Sequence, residues 1–512
     1  MAKKSIELDS NGKRKFGIID CVAYAAGDLG CNMSFALKNT VQTFWFVYVA
    51  MNSKLHAALL LAVQIWDAVN DPIIGSLIDA DRKKYKNGKF KAYIFVGAIG
   101  LLFAGAAIFI PIPAIAEFFG YDPALLATKG NDGYFAYTFV RSAIYVLGYI
   151  FWDAFYTIAN VPYGSMLSLV TEDAGERSSL STWRSLGAAV GNVIPMIILP
   201  MLIWKKEYNP DGTPMINPET NAQVETLLGE RVFFAALIMG VLGFVCFMFM
   251  LKKITIRVDE SLVKTNDSQK FNIIKAFGNF IKNRPAVGAT VAAMAMFMGM
   301  QSATTATTVM FATYFGQAQL SGLVMLAGNA PMFLFMPFIK KLITKFGKKE
   351  ACSGGAFVSI LGSLIMLIFP MVSDKGIALV VYVLGLCVFS LGLGVYMCVT
   401  WALMADAIDY NEWKTGSREE GTVYSLHSFF RKLSQGVGPS LVLLLMGAIG
   451  YVETLGTGGQ SLKTATNMCW LVAGLYVFSA VVMFIGLRFI YNLDKKTMVQ
   501  MNNDLEARRK AK

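Results

Sequence analysis

Charged residues are scarce in this sequence. Lys, Arg, Asp and Glu make up 16% of its 512 residues, and there are only two histidines, His56 and His427. A soluble globular protein carries about 25% charged residues, so the composition excludes an ordinary soluble fold. The sequence also contains neither an HExxH motif nor a P-loop, so the common signatures of metalloproteases and nucleotide hydrolases are missing.

The seven cysteines form no CxxC pair, and their number is odd. Most of them lie in apolar runs, so we expect free thiols that pack as small hydrophobic side chains rather than a metal or redox centre. The first sixteen residues, MAKKSIELDSNGKRKF, are polar and basic and contain no cleavable apolar segment. We therefore expect the first apolar run to remain as an uncleaved anchor.

Long apolar runs dominate the rest of the chain. Hydrophobic residues make up 55% of it, and the mean hydropathy is +0.51. A run of about 20 residues crosses the roughly 30 Å of hydrocarbon in a bilayer. The sequence therefore predicts an all-α membrane protein with twelve transmembrane helices, at 17–50, 55–80, 91–112, 135–169, 181–204, 231–252, 286–316, 320–345, 351–372, 376–410, 420–451 and 467–492.

The net charge of +12 is distributed unevenly among the loops. The loops at 82–91, 252–270 and 340–349 are basic, as is the C-terminal tail, whereas those at 113–133 and 209–230 are neutral to acidic. This positive-inside pattern predicts a multi-pass protein of the plasma membrane with both termini in the cytoplasm. It also explains the basic charge without a nucleic-acid partner.

A basic loop with a glycine follows the second span and recurs after the eighth. Such a repeat in two six-span halves is typical of a duplicated transporter, although two ordinary positive-inside loops are the alternative. The predicted organisation is an N-terminal bundle at 1–252, a cytoplasmic linker at 253–285, a C-terminal bundle at 286–495 and a cytoplasmic tail at 496–512.

Two acidic residues lie near the expected centre of the second span. Asp67 and Asp71 are four residues apart in LAVQIWDAVNDPIIGSLIDA, so they share a helix face and repel each other. An ionisable side chain at that depth costs on the order of 2.5–3.5 kcal/mol. A bound sodium ion or a shared proton removes the repulsion, and Pro72 is expected to unwind the helix and expose carbonyl oxygens. The alternative is a salt bridge to another helix.

Other polar side chains recur at helical spacing in further spans. Because buried acids and bases usually face a polar cavity rather than lipid, we expect these spans to line such a cavity. For Asp153 and Arg431 the alternative is a place near a span end, where the side chain reaches water. The residues are Asp28 and Asn32 in the first span, Asp153, Thr157 and Asn160 in the fourth, Arg184 in the fifth, and His427, Arg431 and Lys432 in the eleventh.

Trp401 and Lys38 each allow two interpretations. Sugar rings stack on aromatic faces, so Trp401 is a candidate sugar contact, although most aromatic residues of membrane proteins serve packing or the interface. Lys38 lies ten residues beyond Asp28, where we expect it to reach the outer headgroups at little cost. The alternative is that Lys38 faces the cavity mouth and attracts an acidic sugar.

Several segments, in order along the chain, resemble the glycoside–pentoside–hexuronide:cation symporters of the major facilitator superfamily. The similarity extends from about residue 16 to 495. It implies two six-helix bundles around a central cavity, and symport of a sugar with sodium or a proton. It implies neither enzymatic activity nor a cofactor or obligate protein partner. The segments are WDAVNDPIIG (66–75), GKFK (88–91), YTIANVPYGS (156–165), ERSSLSTWRS (176–185) and ADAIDYNEWKTGSREEG (405–421), which leads into YSLHSFFRK (424–432).

The resemblance also implies roles for individual residues. Asp67, Asp71 and Thr157 match the cation site, with Asn70 as its selecting asparagine, whereas Asp28 and Arg184 match a sugar-binding acid and base. Lys432 matches the lysine that couples the two sites. To these we add sugar contacts from Asn32, Asn160 and Trp401, a coupling role for Arg431, and a gate formed by Asp79, Lys89, Lys91, Asp406 and Asp409.

Three positions depart from the melibiose-transporting branch of that family. Asn160 and Gly164 stand where that branch has an aspartate and a tryptophan, and Gln64 stands where it has an arginine. We therefore expect a neutral glycoside or oligosaccharide as substrate first, and a hexuronide second. A lysolipid carrier and a membrane-embedded transferase are the competing functions.

The acidic pair generates a first prediction. Asp67→Asn or Asp71→Asn is expected to abolish uphill sugar accumulation, because the cation loses a ligand, and to leave the protein folded and sugar binding at least partly intact. Thermal stability without a cation should hold or rise, because one of the two repelling charges is gone. Uptake into vesicles and thermal unfolding of the purified protein measure both effects. A variant that still concentrates sugar against its gradient would place the ion site elsewhere.

Overall fold

The computed structural model describes most of the chain, and the side chains of Asp71, Pro72 and Asp79 lie outside the described set. The predicted ion and gate roles of these three residues therefore stay predictions. The described backbone comprises 13–118, 134–258, 273–416 and 420–510, without positions 82, 84, 87 and 172.

Twelve long helices form within the described residues, and each coincides with one predicted span, so the predicted all-α fold with twelve long helices is confirmed. The first six are α1 (Ile18–Thr43), α2 (Ser53–Ala80), α3 (Lys89–Ala107), α5 (Tyr134–Val170), α6 (Ala174–Ile203) and α7 (Gly229–Lys253). The second six are α9 (Arg284–Met310), α10 (Ser321–Phe346), α11 (Lys348–Met366), α12 (Lys375–Thr415), α13 (Glu420–Ala448) and α14 (Leu462–Ile485).

Shorter elements complete the described chain. Single π-helical turns extend α1, α9 and α14, at Phe44–Tyr48, Phe311–Phe315 and Gly486–Ile490. The short helices are α4 (Ile112–Phe118), α8 (Ile273–Lys282) and α15 (Lys495–Lys510), and the strands are β1 (Trp204–Lys206), β2 (Ile216–Asn217), β3 (Ala222–Gln223) and β4 (Glu225–Leu227).

Nine helices in the described part of the chain are long and apolar enough to cross a membrane by length and composition. The other three long helices are α1, α2 and α13, which carry the charged residues Asp28, Asp67 and Arg431. Charged side chains in the helices of a membrane protein face a polar site rather than lipid. The charged residues of these helices, together with Asp153 of α5 and Arg184 of α6, are therefore candidates for a functional role.

Contacts divide the chain into two compact units. Unit 1 consists of Met1–Ala50, Ile65–Lys205 and Leu227–Asp267, and unit 2 consists of Met51–Gln64, Lys206–Thr226 and Ser268–Lys512. In unit 1, α1 packs against α6 and α7, and α3 packs against α5. In unit 2, α12 packs against α10 and α11, and α9 packs against α13 and α14. The domain boundaries expected from the sequence stay a prediction.

The loop at 206–226, which the sequence marks only as neutral to acidic, is a folded part of unit 2. β2 pairs with β3 as an antiparallel hairpin. Asn217 donates its amide to the carbonyl oxygens of Gly458 at 2.7 Å and Gln460 at 3.0 Å. Lys375 donates to the carbonyl oxygen of Thr220 at 2.6 Å. These side chain to backbone hydrogen bonds therefore hold the hairpin to the loop before α14 and to the start of α12.

Glycines allow α11 and α12 to approach each other closely. A Cβ atom at Gly362 would lie 2.2 Å from the backbone nitrogen of Phe389, and one at Gly355 would lie 2.7 Å from the carbonyl oxygen of Gly392. Small residues at a helix interface bring the two backbones together, which is how membrane helices gain van der Waals contact. The backbone atoms at these positions leave no space for a methyl group.

This packing predicts a stability difference between two glycines of α11. Gly362→Ala is expected to destabilise the protein by about 1–3 kcal/mol, because the methyl group forces the two backbones apart. Gly354→Ala is the matched control, since a Cβ atom there meets nothing within 4 Å. Thermal unfolding of the purified variants checks the difference. Equal melting temperatures for the two variants would contradict the close approach of α11 and α12.

Candidate functional site

Buried charges from three helices meet in unit 1. The ammonium of Lys38 on α1 lies 3.8 Å from Oδ2 of Asp67 on α2, and the two side chains are 8% and 15% exposed. Asp153 on α5 is buried and lies beside Asp67 and Asn70. Asn70 donates its amide to Oγ1 of Thr157 at 3.2 Å. We name this set the acidic cluster: Lys38, Asp67, Asn70, Asp153 and Thr157.

Helical spacing explains how the sequence forms the acidic cluster. Asp67 and Asn70 are three residues apart on α2, and Asp153 and Thr157 are four residues apart on α5. Residues at these spacings lie on one helix face. Each helix therefore presents a pair of oxygen-bearing side chains on a single face, and α1 adds the ammonium of Lys38.

The described side chains of the acidic cluster carry two potential negative charges and one positive charge. Placing two carboxylates side by side away from water is costly unless a positive charge or a proton lies with them. The ammonium of Lys38 compensates one of these charges. The described cluster therefore has the capacity for one further monovalent positive charge.

The expectation for Lys38 and the alternative for Asp153 are wrong. Lys38 does not reach the headgroups, because it is 7% exposed and paired with Asp67. Asp153 does not lie in water at a span end, because it is 3% exposed. The salt bridge to another helix, which was the alternative explanation for the acidic pair, is present at Asp67. Sequence spacing missed it because the partner is on a different helix.

A second polar group in unit 1 is centred on Asp28 and Arg184, which the resemblance assigned to sugar binding. Nε of Arg184 on α6 donates to Oδ1 of Asp28 on α1 at 3.2 Å. Asn32 donates to Oδ2 of the same carboxylate at 3.2 Å, and Asn192 in turn donates to Asn32 at 2.7 Å. We name these four residues the Asp28 group. The side chain of Arg184 is 36% exposed, so a ligand has access to its guanidinium.

Two tyrosines hold the guanidinium of Arg184 in place. Its central carbon lies 5.1 Å from the ring centroid of Tyr163, and Tyr163 stacks on Tyr24 with 4.6 Å between the ring centroids. Each of these tyrosines donates its hydroxyl to the backbone carbonyl of the other, at 3.1 and 2.8 Å. The stack therefore fixes α5 against α1 and orients the arginine.

The sequence did not single out Tyr24 or Asn192 as members of the site. Asn192 is a polar residue in the apolar run GNVIPMIILP, which is a signal that would have identified it. Tyr24 has no such signal, because a tyrosine in a membrane helix is ordinary. Its role depends on α5, which is distant in the sequence.

Two positions of α5 adjoin this region. Asn160 is half-buried, and its predicted sugar contact stays a prediction. At Gly164 a Cβ atom would meet nothing within 4 Å. The position at which the melibiose-transporting branch has a tryptophan is therefore open space in this protein.

Unit 2 contains a separate cluster around Arg431. Its guanidinium lies 5.3 Å from the ring centroid of Phe297 and 5.9 Å from that of Trp401. His427 shares a 2.9 Å hydrogen bond with Thr290. Trp401 is 50% exposed, as a ligand contact requires. The sugar role of Trp401 and the coupling roles of Arg431 and the half-buried Lys432 stay predictions.

The predicted gate residues have mixed partners. Asp406 pairs with Lys348 at 2.7 Å, whereas Lys91 donates to the carbonyl oxygens of Leu251 and Ile254 at the C-terminal end of α7. A cation at this end of a helix interacts favourably with the helix dipole. Lys89 and the half-buried Asp409 complete the described gate residues, and their gating role stays a prediction.

The loop after α2 is organised by Asp81. Tyr85 donates its hydroxyl to this carboxylate at 2.5 Å, and Tyr93 does so at 2.8 Å. The hydrogen bond from Tyr85, the backbone N–H of Lys83 and the bond from Tyr93 lower the pKa of Asp81 to about 2. Lys89 donates to the backbone carbonyl of Asp81 at 3.4 Å, so the loop closes on an ionised carboxylate.

Comparison with solved structures defines the class of protein. The D-xylose–proton symporter aligns with a TM-score of 0.56 and 15% identity over 94% of this chain and 98% of its own. At this identity the likeness shows the fold alone. The match to the family of MFS/sugar transport proteins, together with the long apolar helices of the described chain, makes the protein a multi-pass membrane protein of the major facilitator superfamily.

The family follows from the sequence comparison. The model of the MFS/sugar transport protein family matches residues 23–495, and the chain belongs to this family. The predicted membership in the glycoside–pentoside–hexuronide:cation symporters is confirmed, and the protein is a sugar transporter rather than an enzyme. The membrane-embedded transferase and the lysolipid carrier are thereby set aside.

Curated relatives match along nearly their whole length. The uncharacterized symporter YjmB of Bacillus subtilis is 27% identical and covers 99% of this chain and 98% of its own. The isoprimeverose transporter of Lactiplantibacillus pentosus is 27% identical, over 92% and 88% respectively. The glucuronide carrier protein homolog of Escherichia coli is 24% identical, over 96% and 95%.

The tyrosine stack predicts that charge alone is insufficient at position 184. Arg184→Lys keeps the positive charge but loses the planar guanidinium over Tyr163, so sugar affinity should fall by about tenfold or more. Sugar binding to the purified protein measures the change. Arg231→Lys is the matched control, because Arg231 is exposed. An unchanged sugar affinity in Arg184→Lys would show that the guanidinium of Arg184 is not a sugar contact.

Proposed function

We propose that the protein imports a neutral glycoside or oligosaccharide together with one monovalent cation, either sodium or a proton. The acidic cluster is the observation that carries this proposal. Its described side chains have room for one further positive charge, and a gradient of one monovalent cation is what a symporter of this family uses. Relatives named as symporters and as an isoprimeverose transporter support the same function.

The Asp28 group suits a sugar hydroxyl pair. The carboxylate of Asp28 accepts hydrogen bonds from hydroxyls, and the guanidinium of Arg184 donates two more in a fixed fork. Because the Asp28–Arg184 pair is internally neutral, a neutral sugar fits without unbalanced charge. We therefore place a neutral glycoside first.

A hexuronide is the second candidate substrate. The relative named as a glucuronide carrier homolog favours it, and a uronate carboxylate would compete with Asp28 for Arg184. That competition leaves one buried carboxylate without its partner, which costs free energy. The cost argues for the neutral substrate in this chain.

Coupling follows from the helices that the two sites share. Asp28 and Lys38 are both on α1, and Asp153 and Tyr163 are both on α5. Besides the tyrosine stack, Trp152 of α5 donates to Ser34 of α1 at 2.8 Å, so the two helices move together. A cation that repositions Asp153 therefore also repositions Tyr163 and, through it, Arg184. By thermodynamic linkage, sugar binding then raises the affinity for the cation equally.

The proposed setting is the cell membrane with both termini in the cytoplasm. The basic loops at 82–91, 252–270 and 340–349 support this orientation through the positive-inside rule. Import then means that the cation gradient across the cell membrane drives the sugar inward. The co-transported ion is the only partner that the proposal requires besides the sugar and the bilayer.

Vesicle uptake with a panel of labelled sugars tests this function. The wild-type protein should concentrate neutral glycosides when an inward gradient of sodium or protons is imposed. Vesicles with Asp67→Asn or Asp153→Asn should take up sugar only until its internal and external concentrations are equal, because the cluster no longer requires the extra positive charge. Exchange of internal for external sugar should continue in both variants. Asp211→Asn, in the exposed hairpin loop, is the control. Uphill accumulation by either cluster variant would refute the proposal. Failure of the wild-type protein to accumulate any sugar of the panel would refute it as well.

A further inference from the structure

The acidic cluster contains a cation of its own. Lys38 follows the stretch NMSFAL of α1, and its ammonium is 3.8 Å from the carboxylate of Asp67. Nothing in the resemblance to the symporter family assigned a lysine to this place. The question is what its charge does to an ion that binds there.

The ammonium cannot leave the cluster for water, because the side chain of Lys38 is 8% exposed. It also lies 5.6 Å from the ring centroid of Phe35, whose face attracts a cation. A lysine buried in this way remains next to Asp67 as long as α1 and α2 keep this arrangement. The amine of Lys38 is therefore a built-in part of the cluster.

A sodium ion requires oxygen ligands, and carboxylates are the strongest of them. A sodium ion bound to Asp67 would lie roughly 4 Å from the ammonium, where two like charges at an effective dielectric constant of about 20 repel enough to weaken binding about a thousandfold. The ammonium opposes a proton on Asp67 in the same way, but a proton can bind instead to Asp153, the second carboxylate of the cluster, where it requires one oxygen lone pair and no coordination shell. Sodium requires several oxygen ligands at once, so the two ions that the proposed function leaves open differ in how they tolerate Lys38.

We infer that Lys38 is the ion-selecting residue of this transporter: its ammonium takes the position at Asp67 that a sodium ion would need, and so excludes sodium from the acidic cluster. The inference rests on the proposed function and goes beyond it. The proposed function allows either sodium or a proton, and this inference selects the proton. Lys38 acts through Asp67 and touches neither the sugar nor the transported ion.

The test uses the full-length protein and compares Lys38→Met, which removes the charge and keeps the length of the side chain, with Lys38→Arg, which keeps the charge. Lys54→Met is the matched control, because Lys54 is exposed at the start of α2. Affinity for a neutral glycoside is measured in a series of sodium concentrations with choline as the replacement ion. Uphill uptake into vesicles is measured with a sodium gradient alone and with a proton gradient alone.

For the wild-type protein, Lys38→Arg and Lys54→Met, sodium should leave sugar affinity unchanged, and in the wild type only the proton gradient should drive uptake. For Lys38→Met, sodium should raise sugar affinity by about fivefold or more, the usual size of a coupling between two sites. Lithium should act in the same direction, because the obstacle is charge rather than size.

A wild-type protein whose sugar affinity or uptake responds to sodium overturns the inference, even if Lys38→Met does not fold. A folded Lys38→Met that binds sugar and stays indifferent to sodium overturns it as well. Sodium-driven uphill uptake in the wild type leaves the proposed symport intact and removes only the role of Lys38. If neither the sodium gradient nor the proton gradient drives uphill uptake by the wild-type protein, the proposed function itself is refuted.

Discussion

A buried ion pair, Lys38 with Asp67, is the interaction on which the acidic cluster and the proposed function depend. Two carboxylates inside a membrane protein are unstable unless positive charge accompanies them, and Asp153 lies next to Asp67. One ammonium compensates one carboxylate only. One negative charge remains uncompensated, and the cluster reaches neutrality only when a further cation binds. In the proposed function, this is why a cation gradient acts on the site.

The second constraint is the rigid contact between α1 and α5. The reciprocal hydrogen bonds of Tyr24 and Tyr163 and the bond from Trp152 to Ser34 connect the two helices at several heights. The residues of the proposed ion and sugar sites lie on these same helices. In the proposed function, a change of charge at one site is therefore transmitted to the other by packed side chains.

Departures from the melibiose-transporting branch concern the sugar rather than the transport mechanism. A Cβ atom at Gly164 meets nothing within 4 Å, so the space that a tryptophan would fill is open in this protein. In the proposed function, the exposed guanidinium of Arg184 is the fixed point of sugar recognition.

The sequence by itself determined the all-α fold, the twelve helices and the family, because hydrophobic length and local motifs are properties of contiguous residues. It also identified Asp28, Asp67, Thr157 and Arg184, since polar residues in apolar runs stand out. Only the tertiary structure decided which of them meet. It placed Lys38 and Asp153 against Asp67, and Tyr24 against Tyr163, because side chains on separate helices find their partners through packing, which spacing along one helix does not encode.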